Sequence, residues 1–217
     1  MPYQAIIFDL DGTLLNTLDD IADSANAVLV EHGYAPRPAD DYRFFIGGGV
    51  DILFEKALPE SERQGNTIQA CVERFRDEYK SGWDRKTQIY NGVSDLLDTL
   101  IERGLKLAVL SNKPHAFTKK CVERYLSRWP ISPVLGQRNG IPHKPDPTGA
   151  IEIADELGVA PSDFLYLGDS ATDMKTARSA GMFAVGALWG FRPEEEMREA
   201  GAQAFIAKPT DLIDLLN

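Results

Sequence analysis

Cysteine is scarce in this 217-residue chain. Cys71 and Cys121 are its two, each inside a helical pattern, so a disulfide framework is not expected and core packing suits both. Histidine is nearly as rare. His32, His115 and His143 show no metal-ligand spacing, and surface or capping roles suit all three. No apolar run approaches the ~18 residues of a spanning helix. Acidic residues arrive too early, at Asp9 and Asp11, for the start of the chain to read as a signal peptide. Positive charge is also in deficit: 23 Lys and Arg stand against 33 Asp and Glu, a formal net charge of −10, so no basic face invites nucleic acid. The expectation is a soluble, cytoplasmic protein, monomer or homodimer, that handles any anion with a local cationic site. Core material is not lacking. With 43% hydrophobic residues the chain can build one large or two modest domains rather than remain disordered.

Apolar runs rich in β-branched residues recur as candidate strands. They are Ala5–Leu10, Leu105–Leu110, Phe164–Leu167 and Phe183–Ala187, with weaker ones at Val134–Leu135 and Ala204–Ile206. Helical patterns lie between the later ones: Val93–Arg103, Pro114–Arg128, Pro147–Leu157 and Thr172–Ala180, with Gly104, Gly158 and Gly181 as stops. This alternation predicts an α/β fold with a doubly wound, Rossmann-like parallel sheet. One interval breaks the rhythm. A βαβ unit takes roughly 30 residues, yet no convincing strand is seen between Leu10 and Leu105. Helical patterns fill the gap: Leu18, Ile21, Ala22, Ala25, Val28 and Leu29 share one face, and Val50–Leu58 and Ser61–Ser81 come after them. The natural reading is a helical cap domain at residues 16–83, inserted into a core made of 1–15 and 84–217. Its hinges would be Leu14–Leu15–Asn16 and the region of Trp83–Arg85. The stretch "PEEEMREA", Pro193–Ala200, reads as a solvated helix with acids in its first turn.

In open parallel sheets ligands bind at the carboxyl ends of strands, so the residues just past each strand carry the most information. The first strand, in "AIIFDLDGTLLNT", ends in Asp9, Asp11, Gly12 and Thr13. Two carboxylates so close are costly unless a cation or a shared proton relieves them. After Leu105–Leu110 come Ser111 and Asn112; after Phe164–Leu167 comes "GDSATD" with Asp169 and Asp173; "HKPDP" carries Lys144. Asp9, Asp169 and, as a further candidate, Asp173 are hard oxygen ligands suited to Mg²⁺. The Ser111 hydroxyl, the amides of Gly12 and Thr13, and helix N-termini suit a phosphate. Lys144 offers a compact positive charge to transferring oxygens. A carboxylate nucleophile splits hydrolysis into two steps through an aspartyl phosphate, with a second carboxylate as acid and base.

These pieces, "DLDGT", "SN", "K" and "GDSATD", resemble in order the four motifs of the haloacid dehalogenase superfamily of phosphotransferases. The resemblance implies Asp9 as nucleophile and Asp11 as acid/base. It implies Ser111 with Asn112, and Lys144, as phosphate binders beside Gly12 and Thr13. It also implies a magnesium site at Asp9, Asp169 and Asp173, with Asp11 contributing its backbone carbonyl. The helical insert is similar to that family's cap. Within it "RFFIGGGVDILFEKAL", Arg43 to Leu58, resembles the cap glycine loop of the phosphoglycolate phosphatase branch. Arg43, Gly48 and Gly49 are therefore expected to meet the carboxylate of a small phosphorylated metabolite. Asn16 departs from the pattern, since many relatives carry aspartate there.

Each piece has an ordinary reading. Asp-x-Asp-Gly is often a polar turn, Ser111–Asn112 a helix cap, Lys144 a solvated side chain, and Gly47–Gly49 a flexible connection. An EF-hand loop fails, because Leu14 sits where its glycine belongs. Joint occurrence at strand ends favours the site for the aspartates, Ser111 and Lys144. A phosphosugar mutase or a pyrophosphatase of the same superfamily stays open as an alternative. A phospho-aspartate signalling module is disfavoured by chain length and by the insert. A halide-removing enzyme has no need of Asp11, and a phosphonate hydrolase would need a cap lysine that the glycine loop does not offer.

Overall fold

Ile6, Ile7 and Phe8 send apolar side chains to both faces of their strand, as a strand covered on two sides requires. In the computed structural model, which describes residues 3–217, that strand is β1 (Ala5–Phe8), inside a six-stranded parallel sheet. The order across the sheet is β5 (Ile131–Gln137), β4 (Lys106–Pro114), β1, β6 (Phe164–Gly168), β7 (Phe183–Ala187) and β8 (Ala204–Ile206). The chain runs outward from β1 to one edge and then returns to build the other side. β1 and β6 thus flank the switch point where such sheets take their ligands.

Alternation along the strands makes two apolar layers. Ile6, Phe8, Leu165 and Leu167 face α5 (Val93–Glu102), α6 (His115–Tyr125) and a closing 3₁₀ segment, Pro209–Leu216. Ala5, Ile7, Phe164 and Tyr166 face α7 (Thr148–Leu157), α8 (Ala171–Ser179) and α9 (Glu194–Glu199). The expected doubly wound architecture is the one found. Two strands are longer than their apolar runs. β4 continues through the buried polar residues Ser111, Asn112 and Lys113 to Pro114, where after a shift of register the strand pairs again with Gln137 of β5. β5 spans Ile131–Gln137 with shifts of register, and Pro133 and Gly136 mask its pattern in the sequence.

Between β1 and α5 lie α1 (Leu18–Glu31), α2 (Tyr42–Phe45), α3 (Val50–Ala57) and α4 (Gly65–Gly82). They share an apolar cluster around Tyr42, Phe54, Val72 and Phe75, which Phe117 and Phe191 join from the core. The expectation of no strand in this interval needs correcting. Leu15–Asn16 (β2) and Gln88–Ile89 (β3) pair antiparallel at the two chain crossings. Strands of two residues fall below any periodicity signal, and the second crossing lies beyond Trp83–Arg85. Asp20, 1% exposed on α1, braces that crossing. Its carboxylate accepts the N–H groups of Lys86 (2.9 and 3.0 Å) and Thr87 (2.8 Å) and the Thr87 hydroxyl (2.7 Å). No helix among the described residues is long and apolar enough to cross a membrane.

Candidate active site

β1 ends at Phe8, and the Asp9 N–H still donates to Leu167 O at 2.9 Å, so Asp9 leaves the sheet from an anchored backbone. The chain then turns at Gly12, where φ is +88° and a Cβ would overlap the Asp169 carboxylate. Only glycine serves there. On the neighbouring strand β6 ends at Gly168 and delivers Asp169. Ser170 then caps α8 in a capping box with Asp173, its hydroxyl donating to Asp173 Oδ2 at 2.6 Å. Two adjacent strand ends and one helix N-terminus thereby converge.

Asp9, Asp169 and Asp173 are all buried, and one oxygen from each lies within 4.8 Å of the others. Lys144 stands among them. Its ammonium donates to Asp9 Oδ1 (2.8 Å), Asp173 Oδ1 (2.7 Å) and Leu110 O (3.0 Å), which uses all three of its protons. One cation does not balance three buried carboxylates. Burial pushes Asp9 up to about 7 against the pull of Lys144, with Asp173 adding repulsion. Burial likewise raises Asp169 well above the carboxylate range, helped by Asp173 and Asp9. Burial alone would lower the Lys144 ammonium, but Asp173 and Asp9 outweigh it and raise it. An all-oxygen donor set with surplus negative charge fits a hard divalent cation such as Mg²⁺. Asp169 is also held in orientation, accepting the Phe191 N–H at 2.7 Å and the Thr13 hydroxyl at 3.4 Å.

Asp11 lies outside that carboxylate group. Its Oδ1 accepts the Thr17 hydroxyl at 2.8 Å, and the Lys113 ammonium lies 3.1 and 3.2 Å from its two oxygens. Asp9 and Asp11 both open onto one cavity of about 60 Å³ between the sheet and the helical insert. Ser111 and Lys113 line it from the sheet side, and Ile46, Val50, Leu53 and Phe75 from the insert.

The structure distributes the expected phosphate and cap residues unevenly. Ser111 is 4% exposed at the cavity wall. The N–H groups of Gly12 and Thr13 are spent within the turn, on Leu15 O (2.9 Å) and Leu10 O (3.3 Å). Among the described residues it is the N–H groups of Leu10 and Asp11 in that turn that donate to no protein acceptor. Asn112 acts as a brace: its amide donates to Gly47 O (2.9 Å) and Lys144 O (3.0 Å) and accepts the Lys144 N–H (2.9 Å). Gly49 borders the cavity, whereas Gly48 backs onto Ile52. Arg43 is outside the cavity lining, with its guanidinium at 3.4 Å from both Gly190 O and Asp40. Arg192 answers from the core by donating to Phe44 O and Ile46 O at 3.1 and 3.0 Å. Lys113 and Tyr79 escape sequence reasoning. One signal for Lys113 is a lysine within a strand whose neighbours are buried.

A carboxylate at the end of β1, a second carboxylate facing the same cavity and a cluster of three buried carboxylates suited to a hard cation lie together beside the switch point of the α/β sheet. The sequence matches the family of haloacid dehalogenase-like hydrolases over residues 6–187, and the chain belongs to that family. It is therefore an enzyme, a hydrolase. Its relatives sharpen the comparison. It is 32% identical to the phosphoglycolate phosphatase of Psychrobacter arcticus over 100% of this chain and 96% of that one. Against the phosphoglycolate phosphatase of Mannheimia succiniciproducens it is 33% identical over 87% of each. A crystal structure from Lactobacillus delbrueckii subsp. bulgaricus, provisionally assigned as a phosphoglycolate phosphatase, superposes with a TM-score of 0.91. It covers 100% of this chain and 99% of its own, at 28% identity.

Proposed function

We propose that this hydrolase is a magnesium-dependent phosphatase of small acidic phosphate monoesters, with 2-phosphoglycolate as its preferred substrate. Residues 16–83 act as its cap. The observation that carries the reading is the division of labour between two neighbouring carboxylates. Asp9 belongs both to the buried carboxylate cluster and to the cavity wall, whereas Asp11 belongs to the wall alone. A magnesium ion held by Asp9, Asp169 and Asp173 supplies charge neutralisation for the phosphoryl oxygens.

The chain's own residues do the rest. A carboxylate oxygen of Asp9 attacks phosphorus and forms an aspartyl phosphate. The ester P–O bond breaks, its electron pair stays on the ester oxygen, and the proton from Asp11 goes to that oxygen. Water then attacks phosphorus and gives its proton to Asp11, the Asp9–phosphorus bond breaks, and phosphate leaves. Lys144 fixes Asp9 for in-line attack, and Ser111 is placed to donate to a phosphoryl oxygen.

The names of the relatives and the character of the cavity support the substrate. Its insert wall is apolar, with Arg76 as a cation at the rim. A sugar's hydroxyls would be left without partners there, at a cost of about 1–3 kcal/mol each. A single carboxylate has the Arg76 guanidinium to meet. The test is a phosphate-release screen over 2-phosphoglycolate, a hexose phosphate and pyrophosphate, with magnesium and with chelator. Fastest turnover of 2-phosphoglycolate, abolished by chelator, is expected. A preference for the hexose phosphate or pyrophosphate, or activity that survives in chelator, overturns the reading.

A further inference from the structure

Lys113 is a buried cation for which the reaction above has no use. It is 7% exposed near the end of β4, and its ammonium meets both carboxylate oxygens of Asp11 at 3.1 and 3.2 Å and the Tyr79 hydroxyl at 2.9 Å. A structural ion pair would be the plain explanation. Two observations go further. All three groups line the cavity onto which Asp9 opens. They also come from different parts of the molecule: Asp11 and Lys113 from the sheet, Tyr79 from α4 of the insert. The tyrosine is held in turn, stacked on Phe75 at 5.2 Å and edge-on to Phe117 at 5.1 Å. Its hydroxyl therefore meets Lys113 only when α4 is seated over the sheet.

We infer that Lys113 is a positioning residue for Asp11, and that Tyr79 makes this positioning depend on the insert being seated. The inference rests on Asp11 being the acid/base. Proton transfer needs the carboxyl within hydrogen-bond reach of the reacting oxygen, and small misplacements are costly. With Thr17 on Oδ1 and the ammonium across both oxygens, the Asp11 carboxylate has one orientation. Burial would lower the Lys113 ammonium, but Asp11 and Tyr79 outweigh this and raise it, so the cation persists. When the insert lifts, Lys113 loses its hydroxyl partner and gains water, and the aim of Asp11 is released.

The test measures kcat and KM for 2-phosphoglycolate with Lys113→Met, Lys113→Arg and Tyr79→Phe, each made alone and in an Asp11→Asn background. Asp11→Asn should lose ~10²–10⁴-fold in kcat, the usual worth of proton transfer. Lys113→Met should lose roughly tenfold or more in kcat with little change in KM, and Lys113→Arg should recover part of that loss. Tyr79→Phe should lose less, again in kcat. In the Asp11→Asn background none of the three should lower kcat further, because their effect passes through Asp11. Equal losses with and without Asp11, or losses confined to KM, overturn the inference while leaving the phosphatase reading intact. Full activity of Asp11→Asn itself would overturn the acid/base reading and the inference with it. If Lys113→Met does not fold, Lys113→Arg and Tyr79→Phe carry the same comparison.

Discussion

The two walls of the cavity are built from opposite materials. The sheet wall is polar and buried: Asp9, Asp11, Ser111 and Lys113 are each 9% exposed or less. The insert wall is largely apolar, made by Ile46, Val50, Leu53 and Phe75. Buried charge is tolerable only where rigid strands and a dense hydrogen-bond network hold every group. The sheet wall has both, with Asp9 anchored by the last ladder bond of β1 and Lys144 donating three times. The insert wall touches the core through replaceable contacts, such as Arg192 on Phe44 O and Ile46 O and Asn112 on Gly47 O. On the proposed function, the sheet wall would carry the chemistry, and the insert wall would exclude water and size the leaving group.

The comparison breaks most decisively at Asp9. Asp9→Asn keeps the shape and removes the nucleophile, so turnover of every phosphate ester should fall by on the order of 10⁴-fold or more while the thermal melt stays cooperative. Retained activity of more than a few per cent would move the chemistry elsewhere. Next in size is the seam between the walls. Asp20→Ala leaves the N–H groups of Lys86 and Thr87 without their carboxylate, which should cost about 2–4 kcal/mol. A fall in Tm of roughly 2–4 °C per kcal/mol would show it; an unchanged melt would mean that the crossing is not braced there.

A milder change falls on the insert wall. Val50→Ala removes two methyl groups from the cavity lining. It should shift the ratio of kcat/KM between 2-phosphoglycolate and a bulkier aryl phosphate by about tenfold toward the aryl ester. Equal changes on both substrates would contradict a sizing role. The smallest effect concerns protons. In the metal-free protein the Asp9 carboxyl is raised from 3.8 to about 7, chiefly by burial. The native state therefore binds more protons than the unfolded chain between those values. In chelator this group's contribution to stability should decline as pH rises from about 4 to about 7 and level off above. Magnesium requires the carboxylate, so its affinity should weaken below about pH 7, by at most tenfold per pH unit from this group, as titration calorimetry would read. A metal affinity that does not change between pH 6 and 8 would mean that Asp9 is ionised throughout.

What the sequence determined by itself is whatever rests on local pattern. Ile6–Phe8, Leu107–Leu110 and Phe164–Leu167 are apolar without interruption, so they had to be buried strands. Groups just beyond such strands had to share one edge of the sheet, which made Asp9, Ser111 and Asp169 legible as candidates before any coordinates. Lys144, by contrast, was legible only through its place in the ordered motifs. The tertiary structure alone decided the rest. Lys113 meets Asp11 across 102 residues of chain and Tyr79 across 34, and Asp20 meets Thr87 across 67. None of these pairs leaves a periodic trace. The same holds for Arg43, whose guanidinium ends on Gly190 O, and for Asn112, whose amide is consumed in bracing Gly47 and Lys144. A side chain's type shows which bonds it can make. Which partner takes them depends on how two walls, folded from distant segments, are pressed together, and that is settled by packing.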